Sequence, residues 1–326
     1  MKTAKKDEPK LASPANQSLQ QSPTLGDYAY TVIDTQYRAI VKQESKVLAD
    51  KDSEHLHHMR VSTRRLRTAL QVFGGVIELP KVAQEKRISS LAKVLGKLRD
   101  LDVQTADLRD TYRPSLDKAE QALLDKAIDA LHRERRKAFA GVKDALTRSR
   151  YQDLKAAYES WLINPRYTRL ALMPLLPLLP DLLSPLLSSL LLHPGWLIEA
   201  SDNIPEEENE ILHDLRKTCK HVRYQAEFFK SFYSNDFQDW IEDIKAIQDL
   251  LGKLHDSQVL QAILTEQLPK HSQLPGLHAL IHQTEQETLA NWEPIRQKYL
   301  DPTSRRHLHH MLLEFTSTAT PPKAPK

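Results

Sequence analysis

The chain has 326 residues, is 40% hydrophobic and 27% charged, and carries a formal net charge of +3. That supplies core for one large domain or two similar halves, and so small an excess of positive charge cannot by itself indicate a polyanion partner. A single cysteine, Cys219, excludes an internal disulfide framework and points to a reducing, cytoplasmic setting, while only 8 glycines among long apolar-periodic segments favour an all-α fold.

In chain order, residues 1–26 are rich in Lys, Pro, Ser and Gln and lack the apolar stretch of a signal peptide, so they read as a disordered tail. A first helix is predicted from about Asp27 to Ala49, with Tyr30, Ile33, Tyr37, Ile40 and Val41 on its apolar side. Ser53 caps the next, which ends near Gly74 and Gly75; Pro80 opens a third; a long fourth runs from about Ser115 to Arg148. Tyr151 to Ile163 and the leucine-rich stretch Leu170 to Leu192 then bridge to a second half. That stretch is apolar enough to suggest a membrane span, but Pro174, Pro177, Pro180 and Pro185 would leave backbone groups unpaired in lipid. It therefore reads as a buried, proline-broken linker, not a span. Glu206 to Glu208 mark a helix start, and a second helix begins near Asp236. Helices from Leu277 to Tyr299 and from Ser304 to Phe315 complete the second half, and residues 316–326 form another tail.

Two motifs recur at one offset. His57-x-x-Arg60-x-x-x-Arg64-Arg65-x-Arg67 returns 156 residues later as His213-x-x-Arg216-x-x-x-Lys220-His221-x-Arg223, and Leu95-Gly-Lys-Leu-Arg-Asp100 returns as Leu251-Gly-Lys-Leu-His-Asp256. Two motifs in one register indicate an internal duplication, with halves at about 27–163 and 206–315 joined by a linker at about 164–205. In the first motif helix the apolar positions Leu56, Met59, Thr63, Leu66, Leu70 and Phe73 keep helical spacing, and each of His57, Arg60, Arg64 and Arg67 follows one of them. At about 100° per residue this sets the cations beside the buried seam. In the second copy His213, Arg216, Lys220 and Arg223 do the same, and Cys219 falls on the core stripe.

Four cations along one face repel by a few tenths of a kcal/mol per pair. A solvated face, or salt bridges to acids such as Asp100 and Asp256, is the plain account; a bound polyanion is the alternative that explains why the charge order occurs twice. Arginine forks grip phosphate oxygens bidentately, and His and Lys add point charges.

These residues resemble the CHAD (conserved histidine α-helical domain) family. The resemblance covers roughly Asp27 to Phe315 and implies two pseudo-symmetric helical bundles enclosing a basic channel that binds inorganic polyphosphate without catalysis, in a protein associated with polyphosphate granules. It implies a site made by His57, Arg60, Arg64, Arg67 and Lys97 with His213, Arg216, Lys220, Arg223 and Lys253. Arg65, Arg99, His132, Arg136, Lys217 and His221 are further candidates. Arg65 is replaced by His221 and Arg99 by His255 in the second copy, which predicts an unequal and more pH-dependent grip. Some family members carry a triphosphatase domain with a Glu-x-Glu-x-Lys signature; Glu206 to Glu210 lacks the lysine, and no residues remain to build that domain.

Two rival readings come from the same residues. Glu54-x-x-His57 and Glu210-x-x-His213 fit the spacing of di-metal helical bundles, which would make the protein an oxidoreductase, although Arg60 and Arg64 would repel a cation. Single-stranded nucleic acid, or another polyanion, shares the phosphate backbone, but the first stripe lacks the interleaved aromatics on which bases stack. No nucleophile elbow or P-loop is present, and neither a cofactor nor a resident metal is expected.

Overall fold

The computed structural model describes residues 23–201, 204–268 and 274–316. Residues 1–22 and 317–326, where the terminal tails were expected, lie outside that set. The described chain is all-α: α1 (Leu25–Ala49), α2 (Ser53–Phe73), α3 (Glu85–Ala106), α4 (Lys118–Thr147), α5 (Ser149–Ile163), α6 (Leu175–Leu191), α7 (Glu206–Phe229), α8 (Asn235–Gln267), α9 (Pro275–Leu300) and α10 (Pro302–Met311). Only isolated bridges, such as Ile77 with Tyr167, add extended pairing among the described residues.

Local chemistry moves several predicted boundaries by a few residues. Helix α1 begins at Leu25, inside the expected tail, because Thr24 and Asp27 form a reciprocal capping box. Asp52, not Ser53, caps α2 by accepting from the Glu54 amide. Pro80 does not open α3; it precedes a short turn at Lys81–Ala83, and α3 starts at Glu85. At its far end α3 widens into a π-helical segment, Asp107–Tyr112.

The leucine-rich stretch is not a broken linker. Residues Leu175–Leu191 form one continuous helix with Pro180 and Pro185 inside it. An interior proline costs about 3 kcal/mol, but α6 buries seven leucines, each contributing about 1.5–3 kcal/mol. Tertiary burial outweighs the two breaks. Leu175–Leu197 is long and apolar enough by composition to cross a membrane; in this fold Leu175, Leu179, Leu183 and Leu187 are fully enclosed in the core.

Helices α2 and α7, which carry the two motif copies, meet near their C-terminal ends. Phe73 and Phe229, equivalent positions at the 156-residue offset, pack edge to face with centroids 6.2 Å apart. Tyr28 of α1 stacks on Phe229 and donates its hydroxyl to the Phe228 carbonyl. Arg65 of α2 reaches Glu227 of α7 at 2.7 Å. At a second junction the buried carboxylate of Glu120 in α4 accepts from the Gly276 amide at the first turn of α9. A side chain at position 276 would overlap that carboxylate, which explains the glycine.

Candidate functional site

The apolar seams of α2 and α7 turn Met59, Thr63, Leu66, Leu215, Cys219 and Val222 fully inward. The residues one position further along each helix are thereby carried to the edge of the seam. Four helices then enclose a cavity of about 470 Å³, walled by His57, Arg60 and Arg64 of α2, Arg99 of α3, Arg216 and Lys220 of α7, and His255 of α8. Asp100, Asp107 and Asp256 also reach it, and Val103, Leu108, Val259 and Ile263 form an apolar side. Cations from both motif copies therefore share one cleft.

Their acidic neighbours neutralise them only in part. Arg60 is 3.7 Å from Asp100 and Arg99 is 3.8 Å from Glu54, both longer than a hydrogen bond. Arg64 sits over the Tyr224 ring, 3.8 Å from its centroid, and Arg223 approaches the same ring at 4.6 Å. The Nε atoms of Arg64 and Arg216 are buried without a hydrogen-bond partner. Crowded, desolvated cations resist charging. Burial pulls Lys220 down to about 8, helped by Arg216, Arg60 and Arg64, and brings Arg64 down to about 10. Burial likewise lowers His57 and His255, and takes His213, which stacks on His255 at 3.9 Å, down to about 4. Asp107 and Asp256 are raised, again mainly by burial.

Of the predicted site residues, His57, Arg60, Arg64, Arg216 and Lys220 line this cavity, as does Arg99. His213 stands behind them against His255. The others do not converge there. Arg67 is taken by Glu85 on α3, and Arg223 by Glu227 at 3.4 Å. Lys97 opens onto a different groove, and Lys253 is exposed outside the cavity lining. Arg65 is used by Glu227, Lys217 pairs with Asp214, and His221 hydrogen-bonds Gln225. His132 and Arg136 on α4 lie outside the cavity lining. Arg65 and Arg67 are drawn off by acids on neighbouring helices, whereas Arg223 and Lys217 pair with acids on their own helix.

The rival constellations fare differently. Among the described residues no three His, Cys, Asp or Glu side chains come together as a metal donor set, and Glu54 faces Arg99. The Glu-x-x-His pairs thus do not converge on a di-metal centre. Tyr224 of α7 reaches the cavity wall, but the Arg64 guanidinium covers its face. It offers no stacking platform for a base.

The sequence reading missed the role of the motif glycines. A Cβ at Gly252 would sit 3.3 Å from the Arg216 guanidinium, and one at Gly96 would sit 3.8 Å from Arg60 Nε. Each glycine gives the arginine of its own half a flat stretch of helix to lie across. The signal was present in the shared spacing: 60 to 96 repeats as 216 to 252. Gly252→Ala should displace Arg216 and weaken anion binding several-fold, while its better helix propensity, about 1 kcal/mol, keeps the melting temperature from falling. Isothermal titration and a thermal melt of the same sample check this, and the looser Gly96→Ala should do less.

A model of the CHAD domain matches residues 31–265, most of the chain. The chain belongs to the CHAD family. Two solved structures share its fold. The CHAD domain from the plant Ricinus communis aligns over 91% of this chain and 94% of that one, at 23% identity and a TM-score of 0.55. PptA from Streptomyces chartreusis aligns over 85% of this chain and 99% of that one, at 16% identity and a TM-score of 0.61. No curated protein matches the chain in a sequence search.

Proposed function

We propose that this CHAD protein binds inorganic polyphosphate in the cavity between α2, α3, α7 and α8 and carries out no reaction on it. The observation that carries this reading is that Arg60, Arg64, Arg99, Arg216 and Lys220, from both motif copies, share one partly desolvated space with too few close carboxylates. A chain of phosphates supplies the missing counter-charge at a repeat that separate carboxylates do not match, and guanidinium forks suit its oxygens. The CHAD resemblance agrees with that ligand class. The covered face of Tyr224 favours a ligand without bases over single-stranded nucleic acid. The single buried cysteine accords with a cytoplasmic protein, and polyphosphate granules are the location this function suggests.

Binding should be electrostatic and multivalent. Neutralising five cations predicts a log-log dependence of affinity on salt with a slope of about −4, if polyphosphate releases counterions as other single-stranded polyanions do. Titrations with long-chain polyphosphate and with single-stranded DNA of equal charge, over a series of salt concentrations, test this. A salt-insensitive affinity would sink the reading, and equal affinity for both chains would hand the site to nucleic acid.

A further inference from the structure

Lys97 of the repeated Leu-Gly-Lys block does not enter the central cavity; it lines a groove of about 800 Å³ between α3, α4 and α5. Arg87, Lys93 and Lys97 approach this groove from α3, Lys137 from α4, Arg148 from the junction between α4 and α5, and Arg150 from α5. Its two acids are already engaged, Glu134 by Lys137 at 2.7 Å and Asp144 by Arg148 at 2.9 Å. Among the described residues Arg87, Lys93, Lys97 and Arg150 have no carboxylate within ion-pair distance. Leu91, Val94 and Leu154 add apolar surface to the groove, and Arg87, Lys93, Lys97 and Arg150 are exposed.

The groove connects to the central cavity. A shorter depression shares Lys93, Lys97 and Glu134 with the groove, and Asp100, Gln104 and Ile263 with the cavity. Of the acids along this passage, Glu134 is held by Lys137 and Asp100 faces Arg60, which leaves Glu266 as the one acid there without such a partner among the described residues. The second half has no counterpart. At the 156-residue offset Arg87 becomes Asp243 and Lys93 becomes Asp249, so two of the groove's cations are absent there. Asp243 is held by Lys298 and lines a separate depression with Asp236 and Asp239.

We infer that a phosphate chain too long for the central cavity leaves it on the first-half side only, passing Lys97 and Lys93 into the α3–α4–α5 groove, where Arg87 and Arg150 hold it. The inference rests on the proposed polyphosphate function and adds a direction to it: one end of the bound chain is gripped outside the cavity, and the second half offers no matching grip for the other.

Arg87→Ser/Lys93→Ser/Arg150→Ser, all exposed positions, tests this beside a control, Lys42→Ser/Lys46→Ser/Lys230→Ser, which removes equal charge from exposed sites on α1 and just beyond α7. Wild type and both variants are titrated with tripolyphosphate and with long-chain polyphosphate. The groove variant should keep wild-type affinity for tripolyphosphate, lose about tenfold for the long chain at moderate salt, and show a salt slope shallower by about 2. The control should bind both chains as wild type does. Unchanged long-chain affinity in the groove variant, or an equal loss in the control, overturns the inference and leaves the proposed function standing. Wild-type protein that binds neither chain overturns both.

Discussion

Arg60→Ala combined with Arg216→Ala is expected to lower polyphosphate affinity by about 100-fold or more, whereas Arg67→Ala should change it less than about threefold. A hydrogen bond to a charged group contributes about 1.5–3 kcal/mol, and the double variant removes one guanidinium from each motif copy in the shared cavity. Arg67 carries the same motif rank, but Glu85 holds it away from that cavity. The contrast separates a site made by the fold from a stripe that attracts anions along its whole length. Equal losses from Arg67→Ala and from the double variant would mean that the stripe, not the cavity, binds. Circular dichroism should be unchanged, because neither arginine belongs to the buried seam; lost helicity would show the pair to be structural.

Lys220 gives the second large effect, a fall in affinity as pH rises from 7 to 9. Its value of about 8 lies below the ordinary 10.5 because burial and then Arg216, Arg60 and Arg64 oppose its charge, with Asp256 pulling the other way. A phosphate beside it restores the charged form, so binding takes up a proton above about pH 8, and affinity declines as pH passes through that value. Lys220→Arg, charged throughout this range, should flatten the decline. At the acid end the sign is the same for a different reason. His57, His213 and His255 are held below 6.5 and are largely neutral at pH 7, so they gain charge only in acid, where Asp107 and Asp256, both raised, also become neutral. Affinity should therefore increase below pH 6.5. Stability without ligand runs against binding. A lysine depressed in the folded state binds fewer protons there than when unfolded, so it costs stability below about pH 8, and that cost is relieved as pH rises toward 10.5. Lys220→Met should raise the melting temperature at pH 7 by a few degrees, on the order of 1–2 kcal/mol after allowing for solvent screening, while weakening polyphosphate binding. A variant that loses both stability and binding would show that Lys220 serves packing instead.

Much of this molecule was legible because its signals are local. Helical spacing of Leu56, Met59, Thr63, Leu66 and Phe73 fixed the inner face of α2, and with it the position of Arg60 and Arg64 beside the seam. The repeat offset extended that reading to α7, where Leu215, Cys219 and Val222 are buried as the spacing requires. Boundaries slipped where capping depended on which of two adjacent polar residues turned inward, as with Asp52 and Ser53. Prolines misled at α6, since a linear reading counts lost hydrogen bonds but cannot see the seven buried leucines that outweigh them.

The sequence by itself determined the all-α class, the two motif copies and the cationic edge of each motif helix, because these follow from periodicities of three and four residues. Only the tertiary structure decided which cations remain to bind. Glu85 lies 18 residues from Arg67, and Glu227 lies 162 from Arg65. Arg223 with Glu227 and Lys217 with Asp214 pair at helical spacing, but whether Arg65 and Arg67 are spent depends on where distant helices place their acids, and no periodicity within one helix carries that information.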